Sequence, residues 1–108
     1  MKRYGGAYDI GEYDYFTKEE IVEFAETVAE DVSAEVGSTY EVSDVYVDFR
    51  GNKQVLVVAL TGEDWEYEVQ EVIDFRRIHK PTDLFKVYLD GFVNSFVTTI
   101  NKFKSGEV

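Results

Sequence analysis

Three consecutive strand patterns constrain the fold of this chain more than any other feature: two segments that alternate apolar and polar residues, and between them one that is apolar on both faces. They cover residues 44–49, residues 55–61 and the segment that begins at Trp65, and turn residues at Gly51-Asn52 and Gly62-Glu63 separate them. Alternation with a period of two is typical of strands with one buried face, and a Gly-Asn pair is typical of a tight β-hairpin. The sequence therefore predicts an antiparallel meander of three strands.

The two predicted turns also fix the strand register. The first turn places Val45 opposite Val58. The second turn places Leu60 opposite Trp65, and by the same pairing Val58 lies opposite Tyr67. The two registers agree, because both place the partners of Val58 on the same face of the sheet. One face of the predicted sheet is then apolar throughout, and we expect it to form the core: Val45, Val47, Phe49, Leu56, Val58, Leu60, Trp65, Tyr67 and Val69.

The opposite face of the predicted sheet carries an apolar stripe between two acidic edges. Carboxylates two residues apart on one strand lie about 6.7 Å apart, and the two edge strands lie about 9.6 Å apart, so four carboxylates frame a patch. The face is open to three interpretations: a solvated surface with charged edges that prevent aggregation, a surface covered by the N-terminal arm, or a contact with a second subunit or a partner. The stripe comprises Val55, Val57 and Ala59, and the edges comprise Asp44, Tyr46, Asp48, Glu66, Glu68 and Gln70.

Two amphipathic segments flank the strands and predict helices. A capping box at Thr17 and Glu20 opens a segment in which an apolar residue recurs every three or four positions, and this predicts a helix over residues 18–36. Pro81 introduces a second helix, predicted over residues 82–104, with one apolar stripe. A glycine follows each segment and ends it.

The order of these elements predicts an α+β two-layer sandwich, a three-stranded antiparallel meander with both helices on one face (order α-β-β-β-α). Residues 1–16, with tyrosines among glycines and acidic residues, are expected to form an irregular aromatic arm that packs on its own domain or on a partner. Residues 17–108 are expected to form a single domain. We expect six side chains to be buried in its core: Phe24, Val28, Leu56, Trp65, Phe92 and Phe96.

The charge of the chain restricts its partners. Between Asp9 and Asp48 the chain carries thirteen acidic residues and a single basic one, Lys18, and the net charge of the whole chain is −11. Such a one-signed stretch repels nucleic acid and anionic membranes, and it attracts a basic surface. We therefore expect a basic protein as partner and no direct binding of nucleic acid or membrane.

Acidic residues of the first predicted helix form a stripe on its outer side. Four glutamates, Glu19, Glu23, Glu26 and Glu30, are spaced by four, three and four residues. Like charges at i,i+4 destabilise a helix by a few tenths of a kcal/mol, so this stripe does not serve helix stability. It is one candidate partner-binding surface. The other lies on the outer face of the predicted sheet: Asp44, Tyr46, Asp48, Glu66 and Glu68.

No pattern in the sequence predicts catalysis. His79 is the only histidine and lies in a basic connector, residues 76–80, which we expect to pair with the chain's own acidic segments. The chain has no cysteine, and neither its acidic clusters nor its glycines have the spacing of an EF-hand or a phosphate-binding loop. We expect a non-enzymatic protein without a metal or cofactor.

In size, charge and tyrosine content the chain resembles viral antidefence proteins that mimic nucleic acid and immunity proteins that neutralise nuclease toxins, although no motif is shared. This resemblance implies a small acidic inhibitor from a virus or mobile element. Its carboxylates would replace phosphates on a basic protein, such as a nuclease or another nucleic-acid-binding protein. The alternative is a structural or assembly protein, for example a homodimer, that self-associates through the outer sheet face or the arm. Without an apolar signal segment or spanning segment, the expected location is the cytoplasm, or the host cytoplasm for a viral protein.

Overall fold

Two long helices and a sheet form the fold, in the order predicted from the sequence. The computed structural model describes residues 3–4, 18–51, 53–63, 65–74, 78 and 81–106. The fold class is α+β, and the α-β-β-β-α order of the longer elements is confirmed; a two-residue strand precedes them. The elements are β1 (Arg3–Tyr4), α1 (Lys18–Val36), β2 (Glu41–Arg50), β3 (Lys53–Thr61), β4 (Glu66–Ile73) and α2 (Pro81–Ser105).

Helix α1 ends through a glycine, and a serine ties its last turns to the sheet. Gly37 has a φ of 83°, and its backbone N–H donates to the carbonyl of Ser33 at 2.9 Å. Glycine adopts this left-handed conformation without a steric cost. The Ser33 hydroxyl donates to the Ala29 carbonyl at 2.7 Å and accepts the backbone N–H of Tyr40 at 2.9 Å. These bonds fix the end of α1 against the start of β2.

Helix α2 begins and ends with residues typical of helix termini. Pro81 occupies its first position, where a missing N–H costs nothing, and Gly106 follows its last residue with a φ of 79°. Near its start, the Tyr88 hydroxyl accepts the backbone N–H of Asp74 at 2.8 Å, which joins α2 to the end of β4. The side chains that α2 buries most completely are Leu84, Phe92, Phe96 and Ile100.

The first hairpin has the register predicted from the sequence. Val45 pairs with Val58, and the ladder continues to Arg50 opposite Lys53, so only two residues form the loop. Gly51, the first residue of that loop, has a φ of 66°. The positive φ is typical of two-residue hairpin loops with the twist of a β-sheet.

Strand β1 extends the sheet beside β2. Its two residues run parallel to β2, with Arg3 paired with Asp44 and Tyr4 paired with Val45, and the strand order is β1-β2-β3-β4. This part of the predicted arm is thus a strand of the chain's own sheet. The other arm residues lie outside the described residues.

The second hairpin differs from the predicted register by two residues. Its loop is longer than expected: the Gly62 N–H donates to the Trp65 carbonyl at 2.9 Å, and strand pairing resumes with Thr61 opposite Glu66. The predicted pairs of Leu60 with Trp65, Val58 with Tyr67 and Leu56 with Val69 are therefore wrong; the observed partners are Tyr67, Val69 and Glu71. Because a shift of two preserves the face of every side chain, Tyr67 and Val69 still face the core.

Trp65 is the one side chain of the six expected in the core that lies elsewhere. It belongs to the loop rather than to β4, and 56% of its surface is exposed. The longer loop explains this exposure, because a residue outside the ladder is not held over the sheet. The other five are buried as predicted: Phe24, Val28, Leu56, Phe92 and Phe96.

Both helices pack on one face of the sheet, as expected. α1 contacts β2, α2 contacts β4, and the helices contact each other. A β-bulge between Val42 and Asp44 keeps Val42 and Val45 on this same face, since two residues separate them instead of one. The side chains that the sheet contributes to this core are Val42, Val45, Val47, Leu56, Val58, Leu60, Tyr67, Val69 and Ile73.

Several predictions concern positions outside the described residues. The capping residue Thr17, the side chain of Phe49, and His79 with most of its basic connector belong to this group. Within the described ranges, no helix combines the length and apolar character needed to cross a membrane. In the same ranges, no three acidic, histidine or cysteine side chains are grouped as metal ligands.

Candidate partner-binding surfaces

Helix α1 presents a row of glutamates to solvent, which we call the glutamate stripe: Glu19, Glu23, Glu26 and Glu30. At about 100° and 1.5 Å per residue, they lie within an arc of about 60° and along about 16 Å of the helix. All four are exposed, as predicted. The opposite side of α1 buries Ile21, Phe24, Ala25, Val28 and Val32.

The charge of the glutamate stripe is not neutralised within the described part of the chain. There, none of its four carboxylates forms an ion pair or a side-chain hydrogen bond. The whole of α1 has seven acidic residues and one basic residue, Lys18, and its last turn has no basic residue. The partly positive N-terminal end of the helix offsets charge only in the first turn, where Glu19 lies.

The outer sheet face, which points away from both helices, contains a buried apolar stripe. Val55 is 5% exposed, Val57 is 0% exposed and Ala59 is 5% exposed. These residues lie on β3, between β2 and β4. The stripe is thus not solvated. Because it is buried within a single chain, we infer that the protein's own residues cover it and that it is not an open apolar surface.

Polar side chains of the flanking strands meet above this stripe. Arg50 on β2 donates through Nη1 to Gln70 Oε1 on β4 at 2.6 Å and through Nε to Asp48 Oδ2 at 3.0 Å. Gln70 Nε2 in turn donates to Glu68 Oε2 at 2.7 Å. Because β3 lies between β2 and β4, this connected set spans it. Arg50 thereby forms an ion pair with one of the predicted site residues, Asp48.

A second hydrogen bond spans β3 at its other end. The hydroxyl of Ser43, in the bulge of β2, donates to Glu66 Oε2 on β4 at 2.7 Å. Two more predicted site residues, Asp44 and Tyr46, are half-buried, and the Asp44 Oδ1 atom is fully enclosed. The five predicted residues of this face thus do lie on one side of the sheet, but most are engaged with the chain itself.

Aromatic rings line a cavity of about 300 Å³ that the sequence did not predict, here called the aromatic pocket. It lies where the loop after α1, the β3–β4 loop and the last turn of α2 meet, and Lys104 also lines it. Trp65 stacks on Phe103 with ring centroids 5.2 Å apart, and Tyr67 meets Phe103 edge to face at 5.9 Å. Tyr40 packs edge to face on Tyr67 at 6.1 Å.

The aromatic pocket combines two buried rings with two open ones. Tyr40 and Tyr67 are buried, whereas 56% of Trp65 and 40% of Phe103 are exposed. Gly62 allows the close packing of Tyr40, because a Cβ atom at position 62 would lie 2.5 Å from Tyr40 Cε1. A pocket with a fixed base and exposed aromatic sides is typical of anchor sites in protein interfaces.

An acidic groove of about 700 Å³ adjoins the aromatic pocket, and Thr39 and Tyr40 line both. Glu26 and Glu30 of the glutamate stripe and Glu41 of β2 line this groove, and its described lining includes no lysine or arginine. The structure therefore brings two residues of the predicted stripe, Glu26 and Glu30, into one groove with Glu41, which the sequence did not assign to a site.

Weak sequence signals explain why these features were missed. Trp65 directly follows a turn and continues the period of β4, so the pattern assigned it to the strand. The spacing of Phe103 fits the apolar stripe of α2, but this residue lies in the last turn of the helix and is 40% exposed. Glu41 precedes the clear alternation of β2 and belongs to no pattern.

Compared with models of protein families, with curated proteins and with solved structures, the chain matches none of them.

Proposed function

We propose that this protein is a small acidic inhibitor that binds the basic, nucleic-acid-binding surface of another protein, as an antidefence or immunity protein does. The observation that carries the proposal is the glutamate stripe, four exposed carboxylates on one side of a helix without a partner among the described residues. Aligned carboxylates on a rigid helix form a fixed negative array, and such an array attracts and orients a basic surface.

The distribution of charge between the helices supports a directed contact. α1 combines seven acidic residues with one basic residue, whereas α2 combines two acidic residues with three basic ones. If acidity served only solubility, both helices would be expected to mix the signs. The segregation leaves one side of the helical layer strongly negative.

The alternative proposal, a self-assembling structural protein, has weaker support. It requires an apolar surface for association, and the apolar stripe of the outer sheet face is already buried within one chain. An exposed valine, Val72, remains at the edge of that face with 51% of its surface open. On this face, one such residue is far smaller than the apolar core of a stable interface; the exposed rings of Trp65 and Phe103 lie at the aromatic pocket instead.

The proposal can be tested by capture with competition. Immobilised full-length protein is exposed to lysate, and bound proteins are eluted either with salt or with duplex DNA. We expect basic nucleic-acid-binding proteins among the captured species and their release by DNA, because phosphates and the glutamate stripe would compete for the same cations. Capture of no basic protein, or capture that neither salt nor DNA reverses, would contradict the proposal.

A mobility-shift assay supplies the necessary control. With a net charge of −11, the protein alone is expected to leave duplex and single-stranded DNA and RNA unshifted at micromolar concentration and physiological salt. The DNA in the capture experiment then acts on the target and not on the immobilised protein. A shift of nucleic acid by the protein alone would refute the mimic.

A further inference from the structure

The aromatic pocket and the acidic groove are neighbouring surfaces of two chemical kinds. Thr39 and Tyr40 line both, so the two adjoin along these residues. The groove presents Glu26, Glu30 and Glu41, and the pocket presents the open rings of Trp65 and Phe103. A ligand that fits both must therefore carry positive charge beside an apolar group.

The aromatic rings are held in place before any ligand arrives. Trp65 is supported by its stacking on Phe103, and Phe103 by its edge contact with Tyr67, a buried core residue. Rings fixed in this way lose little conformational freedom on binding, which favours their use as anchors. The cavity of about 300 Å³ is at the lower end of ligand pockets, a size suited to one side chain.

Charge complementarity defines the rest of the ligand. The described lining of the groove has three glutamates and no cation, so an arginine or lysine placed there meets no repulsion. The aromatic pocket itself has one glutamate, Glu63, and one lysine, Lys104, whose charges offset each other. The positive group is thus expected in the groove and the uncharged group in the pocket.

We propose that this composite surface binds a basic segment of a partner protein, with an arginine or lysine in the acidic groove and a neighbouring leucine or similar apolar side chain in the aromatic pocket. The inference rests on the proposed function, because it specifies how a basic target would be recognised. It adds that recognition depends on an apolar anchor as well as on charge. Nucleic acid, which has no aliphatic side chain, would not satisfy it.

Two synthetic peptides test the inference: a pentapeptide of four arginines around a central leucine, and the same peptide with serine in place of leucine. Both carry an N-terminal fluorescein, and anisotropy with the full-length protein gives the dissociation constants. We expect the leucine peptide to bind about tenfold more tightly, since one leucine is buried. Unlabelled leucine peptide should also shift the emission of Trp65, the single tryptophan of the chain.

Matched variants locate the two contacts. Phe103→Ala and Trp65→Ala should remove the preference for leucine, whereas Val72→Ala, an exposed apolar residue outside the pocket, should preserve it. The pair Glu26→Gln and Glu30→Gln should weaken both peptides by about threefold to tenfold. The pair Asp31→Asn and Glu35→Gln removes the same charge from exposed positions of the same helix outside the groove and the glutamate stripe, and it should weaken them by less than about twofold.

The outcomes separate this inference from the proposed function. Equal affinities for the leucine and serine peptides, no binding of either, or equal effects of the two charge-removing pairs would overturn the composite surface, while capture of a basic protein could still succeed. A Trp65 emission that changes with protein concentration alone would show a second copy of the chain in the pocket and would also overturn it. Failure of capture, in contrast, contradicts the proposed function itself.

Discussion

The glutamate stripe of α1 and the outer sheet face are both acidic, but their carboxylates have different surroundings. The four carboxylates of the stripe are exposed and form no ion pair or hydrogen bond with another described side chain. On the sheet, Asp48 and Glu68 belong to a hydrogen-bonded set with Arg50 and Gln70, and Glu66 bonds to Ser43. Acidic residues that look alike in the sequence therefore differ in the structure: the carboxylates of the stripe are available to a partner protein, whereas those of the sheet already form hydrogen bonds within the chain.

The contrast shows how to distinguish a binding charge from a structural one. Carboxylates above a buried apolar strand help to cover it, and removing them exposes what lies beneath. Carboxylates without a partner add only repulsion to the free protein, so their benefit has to come from a second molecule. For this reason we place the main contact on α1 and not on the sheet.

The largest expected effect tests whether the outer sheet face is closed. Val57→Asp should lower the free energy of unfolding by about 3–5 kcal/mol, because it places an unpaired carboxylate at a position with 0% exposure. The loss should be similar to that for Phe96→Ala in the helix-facing core. Chemical denaturation measures both.

Val72→Asp is the control for this substitution. It adds the same charge to the same face at a position that is 51% exposed, so its cost should stay below about 1 kcal/mol. If Val57→Asp destabilised the protein no more than the control does, the outer sheet face would be exposed to solvent. Its carboxylates would then not differ in surroundings from those of the glutamate stripe.

The second prediction compares binding by the two surfaces. Converting Glu19, Glu23, Glu26 and Glu30 to Gln should weaken capture of a basic target at least about tenfold, or about 1.4 kcal/mol, and reduce its salt dependence. Converting the sheet set to Asn and Gln should weaken capture by less than about threefold; this set is Asp44, Asp48, Glu66 and Glu68. Titration by calorimetry at two salt concentrations measures both. If neutralising the sheet set weakened capture more than neutralising the glutamate stripe, the main contact would lie on the sheet and not on α1.

The third prediction concerns the bridge over β3. Arg50→Ala should destabilise the protein by about 0.5–1 kcal/mol, since it removes hydrogen bonds to Asp48 and Gln70 from a half-exposed site. Lys53→Ala is the matched control, because Lys53 is an exposed cation opposite Arg50 in the same hairpin. Thermal unfolding of the two variants should show a loss for Arg50→Ala alone; equal values would mean that the bridge contributes nothing.

The smallest expected effect is a change in the free energy of unfolding that has opposite signs for glutamates of the two surfaces. Glu23→Gln should stabilise the protein by a few tenths of a kcal/mol, because it removes repulsion from Glu19. Glu68→Gln should destabilise it by a similar amount, because it replaces the carboxylate that accepts a hydrogen bond from Gln70. Paired denaturation curves at low salt resolve the difference, and the same sign for both would contradict it.

Local patterns predicted most of the fold. The bounds of α1, the order of the elements, the first hairpin and the shared face of both helices all follow from periods of 3.6 or two and from glycines at the ends. The glutamate stripe was also predictable, since spacings of three and four are sufficient to place side chains on one side of a helix. These features depend on short stretches of sequence.

Features that depend on contacts between distant segments were not predictable. The register of the second hairpin depends on a loop that includes Trp65, and the stacking of Trp65 on Phe103 joins that loop to the end of α2. The Arg50–Gln70 hydrogen bond crosses a strand, so neither residue signals it locally. The bulge at Ser43 likewise leaves no mark in the alternating pattern.

The pairing of β1 with β2 sets an order in which the sheet can assemble. The two hairpins close over short loops, whereas Arg3 reaches Asp44 only across about 40 residues that include α1. Short loops close with less loss of entropy, so we expect the β2–β3–β4 meander to form first and β1 to dock afterwards. Until then, the edge of β2 near Asp44 and Val45 is open to other chains. Its acidic residues, Glu41 and Asp44 among them, would repel a second copy during that interval, so charge at this edge protects the nascent sheet.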